Sequence, residues 1–485
     1  GLPWLVAAAV QEIWHSANMA FALLPMLNQG AVECLARHGT PELKATYLDK
    51  LVSGEWTGTM NLTEPQAGSD VGALRTKAVP DGDRWRITGQ KIFITGGEHD
   101  AADNIIHLVL ARTPGAPGGV KGISLFLVPK FLPNPDGTLG RRNDLACIKI
   151  EEKLGIHGSP TCVMAFGETE GAVGWLVGEE NKGLALMFTM MNNARLAVGL
   201  EGIAVGERAT QKAVAYARER VQGAGPIVHY PDVRRMLMTG RAQTEATRAL
   251  AYWVASRIDI AHRHPDAEVR AYAQGLVDLL TPVVKGWGTD CGIRSADLAI
   301  QVFGGMGFIE ETGVAQHLRD ARITAIYEGT NGIQAMDLVG RKLIRDEGRT
   351  FRAFLAEVGR TDANLAARPG PAFAALRRHL AEAVAAAGRA ADLLLDGHAA
   401  DPHLAGAAAG PFLELVGLTA GGWLMALAAL AAARRMDGGE DDPFLATKIA
   451  TAHFFAAQLM ARAGGLLAQI EAGSATLMAI GDDHL

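Results

Sequence analysis

The sequence predicts an α+β chain in the order helices, β domain, helical bundle and further helical extension. Three observations carry that expectation. Apolar residues recur at helical spacing over residues 1–55, short β runs split by Gly and Pro fill 56–170, and long amphipathic stretches return from Gly183. At 485 residues the chain is too long for one core, and two to four domains are expected. Their boundaries read as 1–55, 56–170, 171–345 and 346–485. Few folds insert a β domain into a helical chain, so the block order is itself informative.

Each block has its own grammar. Gln11–Leu27 shows apolar positions at helical spacing, and Pro41-Glu42 opens another helix. The chain starts on Gly1-Leu2-Pro3-Trp4 with no basic stretch ahead of an apolar run, so the reading expects an internal start and no signal peptide. In the β block the runs Trp85–Thr95, Asn104–Thr113, Ile123–Pro129, Ala146–Ile150 and Thr161–Phe166 alternate with turn signals, as in a small antiparallel barrel or sandwich. The Ala-rich extension breaks at Pro369-Gly370-Pro371, His398–Pro402 and Asp437–Pro443. Its stretch Leu415–Ala433 has no charge and could nearly span a bilayer. It is mostly Ala, Gly and Leu without flanking aromatic belts, so a buried helix is expected, not a membrane span.

Composition excludes little but points one way. Apolar residues make up 49% and charged residues 20%, with a net charge of −6, so no basic surplus favours nucleic acid. The extension alone carries eleven basic and sixteen acidic residues without a Lys/Arg cluster. Cys34, Cys147, Cys162 and Cys291 lie far apart and form no CxxC pair. That pattern suits a reduced, cytoplasmic protein without disulfides or zinc. The histidines form no ligand cluster, so no metal is expected.

The chemistry centres on Ala321–Gln334. An apolar, β-branched run leads into Tyr327-Glu328, and Gly329 and Gly332 bracket Thr330-Asn331 before a helical pattern resumes. A carboxylate at a tight turn backed by glycine can project into a pocket. Gly-Thr-Asn-Gly opening a helix presents free backbone amides to a phosphate or a ring edge. The same spelling also suits a surface Glu before an N-cap, favoured there by the helix dipole. Residues 60–70, from Met60 through Leu62, Thr63, Gly68 and Ser69 to Asp70, form a second candidate. Their hydroxyls and the Gly68 amide suit a flavin ring or phosphate, or a plain turn. In Ile92–Gly97, Phe93 and Thr95 would share one face of a strand, where stacking and a hydrogen bond meet one planar ligand. A core Phe beside an incidental Thr spells the same.

Together these motifs resemble the acyl-CoA dehydrogenase family. Leu62-Thr63-Glu64-Pro65 with Gly68-Ser69-Asp70, Ile94-Thr95-Gly96, Gln301-Val302-Phe303-Gly304-Gly305-Met306-Gly307-Phe308 and Ile326-Tyr327-Glu328-Gly329-Thr330 stand in family order and spacing over about residues 5–345. Lys153–Pro160, the helix from Gly332 to Lys342 and the extension resemble the branch that contains 3-methylmercaptopropionyl-CoA dehydrogenase. Members of that branch carry a helical segment ahead of the equivalent of Gly1.

The resemblance implies roles. Glu328 matches the base that takes the α-proton of an acyl-CoA thioester, with hydride passing from the β-carbon to flavin N5 and electrons on to electron-transfer flavoprotein. The Glu328 amide, beside Gly329, matches an oxyanion donor to the thioester carbonyl. Met60, Leu62, Thr63, Gly68, Ser69, Phe93, Thr95, Thr330 and Asn331 fall in the FAD-contacting segments, with Phe93 in place of a family Trp. Ser69, Asn192 and Arg195 fall near the acyl-CoA. Arg220, Gln301, Gly304 and Gly305 match residues that hold the FAD diphosphate and adenine from a neighbouring subunit, implying a homodimer or a dimer of dimers. Gly304–Gly307 is not a Rossmann fingerprint, since it follows a helical pattern. Departures occur: Asn192-Asn193-Ala194-Arg195 stands where Asp-x-x-Arg is frequent, Tyr230 replaces a His, and the Gln222–Pro226 connection is short. Two alternatives share the flavin: an acyl-CoA oxidase or desulfinase-like enzyme, and a DNA-associated alkylation-response flavoprotein. A Glu at 328 argues against the desulfinase, and the acidic extension against the DNA-associated protein.

Overall fold

A computed structural model describes residues 2–484; Gly1 and Leu485 lie outside the described residues. The chain forms two compact units. One is Ala17–Ala194, and the other joins the segment ending at Ser16 to Arg195 and everything after it.

The helix α1 (Trp4–His38), in the Ala17–Ala194 unit from Ala17 onward, is broken at Asn18, whose backbone is extended and whose Oδ1 accepts from Phe21 N at 3.1 Å. An Asn in that conformation caps the segment that follows. The sheet comprises β1 (Trp56–Asn61), β2 (Lys77–Asp81), β3 (Arg84–Thr95), β4 (Asn104–Ala111), β5 (Ser124–Pro129), and, after the small hairpin of β6 (Phe131–Pro133) and β7 (Leu139–Arg142), β8 (Leu145–Ile150), β9 (Thr161–Phe166) and β10 (Ala172–Leu176). Strand order is β1-β4-β5-β10-β3-β9-β8, with β2 on β3. The sheet is mixed, which corrects the antiparallel expectation: β1 and β4 run parallel from Trp56 opposite Asn104 to Asn61 opposite Val109. Parallel neighbours need a long crossover, and the β2–β3 hairpin supplies it. Ile87, Ile94, Val109, Phe126, Met164 and Phe166 form the core of this unit.

The other unit is helical. Its long helices are α2 (Gly183–Glu219, from Arg195 onward in this unit), α3 (Pro231–Arg263) and α4 (Ala267–Phe303). A short helix α5 (Val314–Arg322) precedes the Glu328 turn, and α6 (Asn331–Met336) follows it, continuing as a wider π-type turn over Asp337–Ile344. The extension adds α7 (Arg349–Gly359), α8 (Thr361–Ala366), α9 (Pro371–Gly397), α10 (Leu404–Asp437), α11 (Pro443–Phe454) and α12 (Ala463–Glu471). The breaks fall where the Pro and Gly clusters predict.

One apolar core runs from Leu196 through Trp287, Leu338, Phe351, Phe412 and Trp423 to Ile470. Bundle and extension therefore bury each other. Trp287 lies flat against α10, where a Cβ at Gly417 would come within 2.4 Å of its ring. The uncharged stretch of α10 is buried inside the protein, as its composition predicts: 83% of its most apolar window is covered. α1 also has the length and apolarity to cross a membrane.

Candidate active site

Glu328 stands where the backbone turns left-handed twice, with φ of 54° at Glu328 and 86° at Gly329. The left-handed backbone at Gly329 favours glycine, and a Cβ there would also displace Gln334 Nε2, 2.7 Å away. For Glu328 the conformation is strained by about 1–3 kcal/mol and persists only where its surroundings over-determine it. They do so here. Lys285 Nζ donates to Gly329 O at 2.7 Å and to Asn331 Oδ1 at 2.9 Å. Gln334 Nε2 donates to the carbonyls of Glu328 and Gly329, both at 3.3 Å. Thr330 caps α6, its Oγ1 accepting from Ile333 N at 3.2 Å. The Asn331 amide group donates to Gly286 O, Thr289 Oγ1 and Asp290 Oδ1 at 3.1, 3.0 and 2.7 Å.

Charge is arranged as tightly as the backbone. Glu328 as a whole residue is half-buried, yet its carboxyl is surrounded closely enough that desolvation pushes it up to about 6, against the pull of Arg195 and Lys285. Burial likewise draws Lys285, fully enclosed, down to about 8, with Glu328 and Glu201 opposing. Arg195 is buried and pairs with Asp337 at 3.6 Å, and Asp337 also receives Arg341 Nη1 at 3.1 Å. The Tyr327 hydroxyl donates to the buried carboxyl of Glu201. A carboxylate near 6 is mostly ionised at neutral pH yet basic enough to take a proton, which suits a general base.

In the β-bearing unit the 60–70 loop and the end of β3 are locked together. Lys91 Nζ, completely enclosed, donates to Leu62 O at 2.9 Å and Glu64 Oε1 at 2.8 Å. Glu64 also accepts from Arg75 N, Thr76 N and Thr76 Oγ1 at 2.6, 3.0 and 2.6 Å. Burial raises the Glu64 carboxyl, but the Lys91 charge and these donors outweigh it and hold the group at about 2. Ile92 N donates to Thr63 O at 2.9 Å, so Thr63 and the Phe93–Thr95 segment are brought side by side. Ladder pairing with β9 slips between Lys91 and Ile94, and Phe93 sits in the bulge with φ of 60° and 61% of its surface exposed. The bulge corrects the simple alternation expected of Phe93 and Thr95: Phe93 is aimed outward by a left-handed backbone and not by strand period. Met60 is buried, Leu62, Thr63 and Thr95 are half-buried, and Gly68, Ser69 and Asn192 are exposed.

A third group gathers at one end of the helical unit. Tyr216 stacks on Phe303 with centroids 4.1 Å apart, which brings the α2 end carrying Arg220 beside Gln301, Gly304 and Gly305. All four are exposed, next to Phe308 with 88% of its surface bare. Tyr230 closes the short connection, its hydroxyl donating to Gln222 O at 2.6 Å and accepting from Ala224 N at 3.2 Å.

Comparison with known proteins fixes the family. Residues 59–169 match the acyl-CoA dehydrogenase middle domain, 181–343 the acyl-CoA dehydrogenase C-terminal domain, and 351–481 a domain described as acetyl-CoA dehydrogenase C-terminal like. A 3-methylmercaptopropionyl-CoA dehydrogenase of Ruegeria pomeroyi is 50% identical over 470 residues, covering 95% of this chain and 79% of that protein. The chain belongs to the acyl-CoA dehydrogenase family. A broad-specificity linear acyl-CoA dehydrogenase of Mycobacterium tuberculosis is 38% identical over 479 residues, covering 94% of this chain and 78% of that one. A Bacillus anthracis acyl-CoA dehydrogenase solved with FAD superposes with a TM-score of 0.77 at 22% identity, covering 100% of this chain and 80% of that one, which extends the likeness of fold through the extension.

The family resemblance and the α+β architecture read from the sequence are thus borne out. For this acyl-CoA dehydrogenase the sequence missed Glu201, Lys285, Gln334 and Asp337. Each lies inside a helical pattern that reads as packing. A Lys and a Glu on otherwise apolar helix faces, Lys285 between Val284 and Gly286 and Glu201 beside Leu200, are the signal that marks two of them. The Asn331 side chain is engaged with α4, which leaves its backbone as the group it could present to a ligand.

Proposed function

We propose that this enzyme removes the α-proton of an acyl-CoA thioester with Glu328 and yields the trans-2-enoyl-CoA, using FAD. The observation that carries the reading is a strained, heavily braced turn that holds a carboxyl of raised proton affinity within the field of the buried cations Arg195 and Lys285. Bound FAD supplies the hydride acceptor at N5. The chain's own residues do the rest: Glu328 Oε takes the proton, and the Glu328 N–H donates to the thioester oxygen as negative charge develops there.

The residues present suit a flavin. An outward Phe93 at a left-handed bulge, the Thr63 and Thr95 hydroxyls and the exposed Gly68-Ser69 offer a ring face and hydrogen-bonding groups in one unit. Exposed Arg220, Gln301, Gly304 and Gly305 suit a diphosphate and adenine, in our reading from the neighbouring subunit of a homodimer or dimer of dimers. Ser69, Asn192 and Arg195 are assigned to the acyl-CoA, Thr330 and the Asn331 backbone to FAD, and electron-transfer flavoprotein to the reoxidation. Residues 1–55, 56–170, 171–345 and 346–485 are proposed as the functional blocks. Identity to the Ruegeria relative makes 3-methylmercaptopropionyl-CoA the first substrate to try.

Anaerobic titration of the FAD-loaded protein with butanoyl, octanoyl, palmitoyl and 3-methylmercaptopropionyl thioesters tests this directly. Bleaching of flavin absorbance by one class, lost in Glu328→Gln, is the expected result. Flavin that stays oxidised with every thioester would overturn the assignment.

A further inference from the structure

Glu201 is a second carboxyl at the site that the proposed chemistry does not use. It projects from α2, is completely enclosed, and meets the Tyr327 hydroxyl through Oε2. Its other oxygen, Oε1, has no hydrogen-bond partner among the described residues. The groups facing it are Tyr327 and Glu328 from the turn and Lys285 from α4. Lys285 is already engaged by Gly329 O and Asn331 Oδ1. A carboxylate in such a place would lack the donors that an enclosed anion needs, whereas a carboxylic acid needs far less.

We propose that Glu201 is a positioning residue that works as an uncharged carboxylic acid, holding Tyr327 in place and leaving Glu328 as the one anionic base beside it. The inference rests on the proposed role of Glu328. Two neighbouring carboxyls are driven apart in proton affinity by their surroundings, and only one is left charged. Burial, then the Glu328 charge, keeps the proton on Glu201 up to about pH 8, with the Tyr327 bond and Lys285 opposing. When that proton leaves, a second anion opposes the negative charge that develops on the thioester oxygen. The result is an alkaline limb in the rate.

Two measurements on the FAD-loaded protein and its Glu201→Gln variant test this. The first is the anaerobic rate of flavin reduction by the best thioester at pH 6.5 and pH 9. Wild type is expected to lose about tenfold between them, as for one ionisation carried one unit past its midpoint. The Gln variant, which cannot ionise, is expected to lose less than about half as much. The second is the melting temperature across pH 5–9. Because the folded-state affinity of Glu201 is raised, its contribution to stability is present at low pH and lost as pH rises from about 4.5 to about 8. The gap between the variant and wild type should therefore shift in the variant's favour across that window and level off above it.

Equal alkaline limbs in both proteins, or a melting gap independent of pH, would overturn the role of Glu201. Absence of flavin reduction in wild type at every pH would instead overturn the dehydrogenase reading, and the melting series would still decide whether Glu201 is uncharged. A merely structural Glu201 would change the melting temperature by the same amount at every pH.

Discussion

In the proposed reaction Glu328 concentrates the chemistry, because its backbone, its charge and its neighbours all depend on one turn. Replacing it by Gln should cut the flavin reduction rate by about 10²- to 10⁴-fold, the usual contribution of a positioned base, as read by stopped-flow absorbance. A base whose carboxyl sits at about 6 must be ionised to act, so the rate should fall about tenfold per unit below pH 6. Lys285→Met removes the donor to Gly329 O and Asn331 Oδ1 together with a cation that lowers Glu328. The acid limb should then move to higher pH, and chemical denaturation should show a loss of about 1 kcal/mol for each lost bond, since Gln334 Nε2 still donates to Gly329 O and Thr289 Oγ1 to Asn331 Oδ1. The turn at Glu328 was legible in the sequence as local grammar before Gly-Thr-Asn-Gly, whereas its reading as a base rested on the family motifs. Lys285 and Glu201 were not, since they reach the turn from 44 and 126 residues away.

Among the secondary-structure elements, the joint between the 60–70 loop and β3 shows how a sheet can aim a ring outward. The buried Lys91–Glu64 pair fixes the loop carbonyls, and the bulge that follows turns Phe93 to the surface. Lys91→Met strands Glu64 without its cation and should cost about 3–5 kcal/mol in a denaturant series, whereas pairing it with Glu64→Gln should restore part of that loss. Glu64 is held at about 2, below its ordinary range, so the stability it contributes is present above about pH 4.5 and lost as pH falls through 2. Acid melts of the double variant should lack that loss. The motif around Thr63 was readable; the ion pair beneath it was not, because Glu64 and Lys91 are separated by 27 residues and look like surface charges in isolation.

For the whole molecule the extension is part of the fold of the helical unit and not an appendage. Trp287 rests on Gly417 of α10, and the Trp423 indole N–H donates to Thr361 Oγ1 at 3.0 Å, linking α10 to α8. Gly417→Val would press branched methyls into the Trp287 ring and should destabilise the protein by about 1–3 kcal/mol, seen as a lower melting temperature. A chain ended after Arg345 would bare the bundle side of this core and should elute as aggregate in size-exclusion chromatography, at a larger apparent size than the chain that keeps the extension.

What the sequence determined by itself was whatever depends on neighbours along the chain. Periodicity set the block order, Gly and Pro clusters set the breaks of the extension, and four short motifs set the family. Only the tertiary structure decided which charges are enclosed. Burial depends on what packs from distant elements, so the raised carboxyls of Glu328 and Glu201, the cations around them and the bulge at Phe93 emerge when strands and helices meet. The same letters in a solvated chain would carry ordinary charges and ordinary backbone angles.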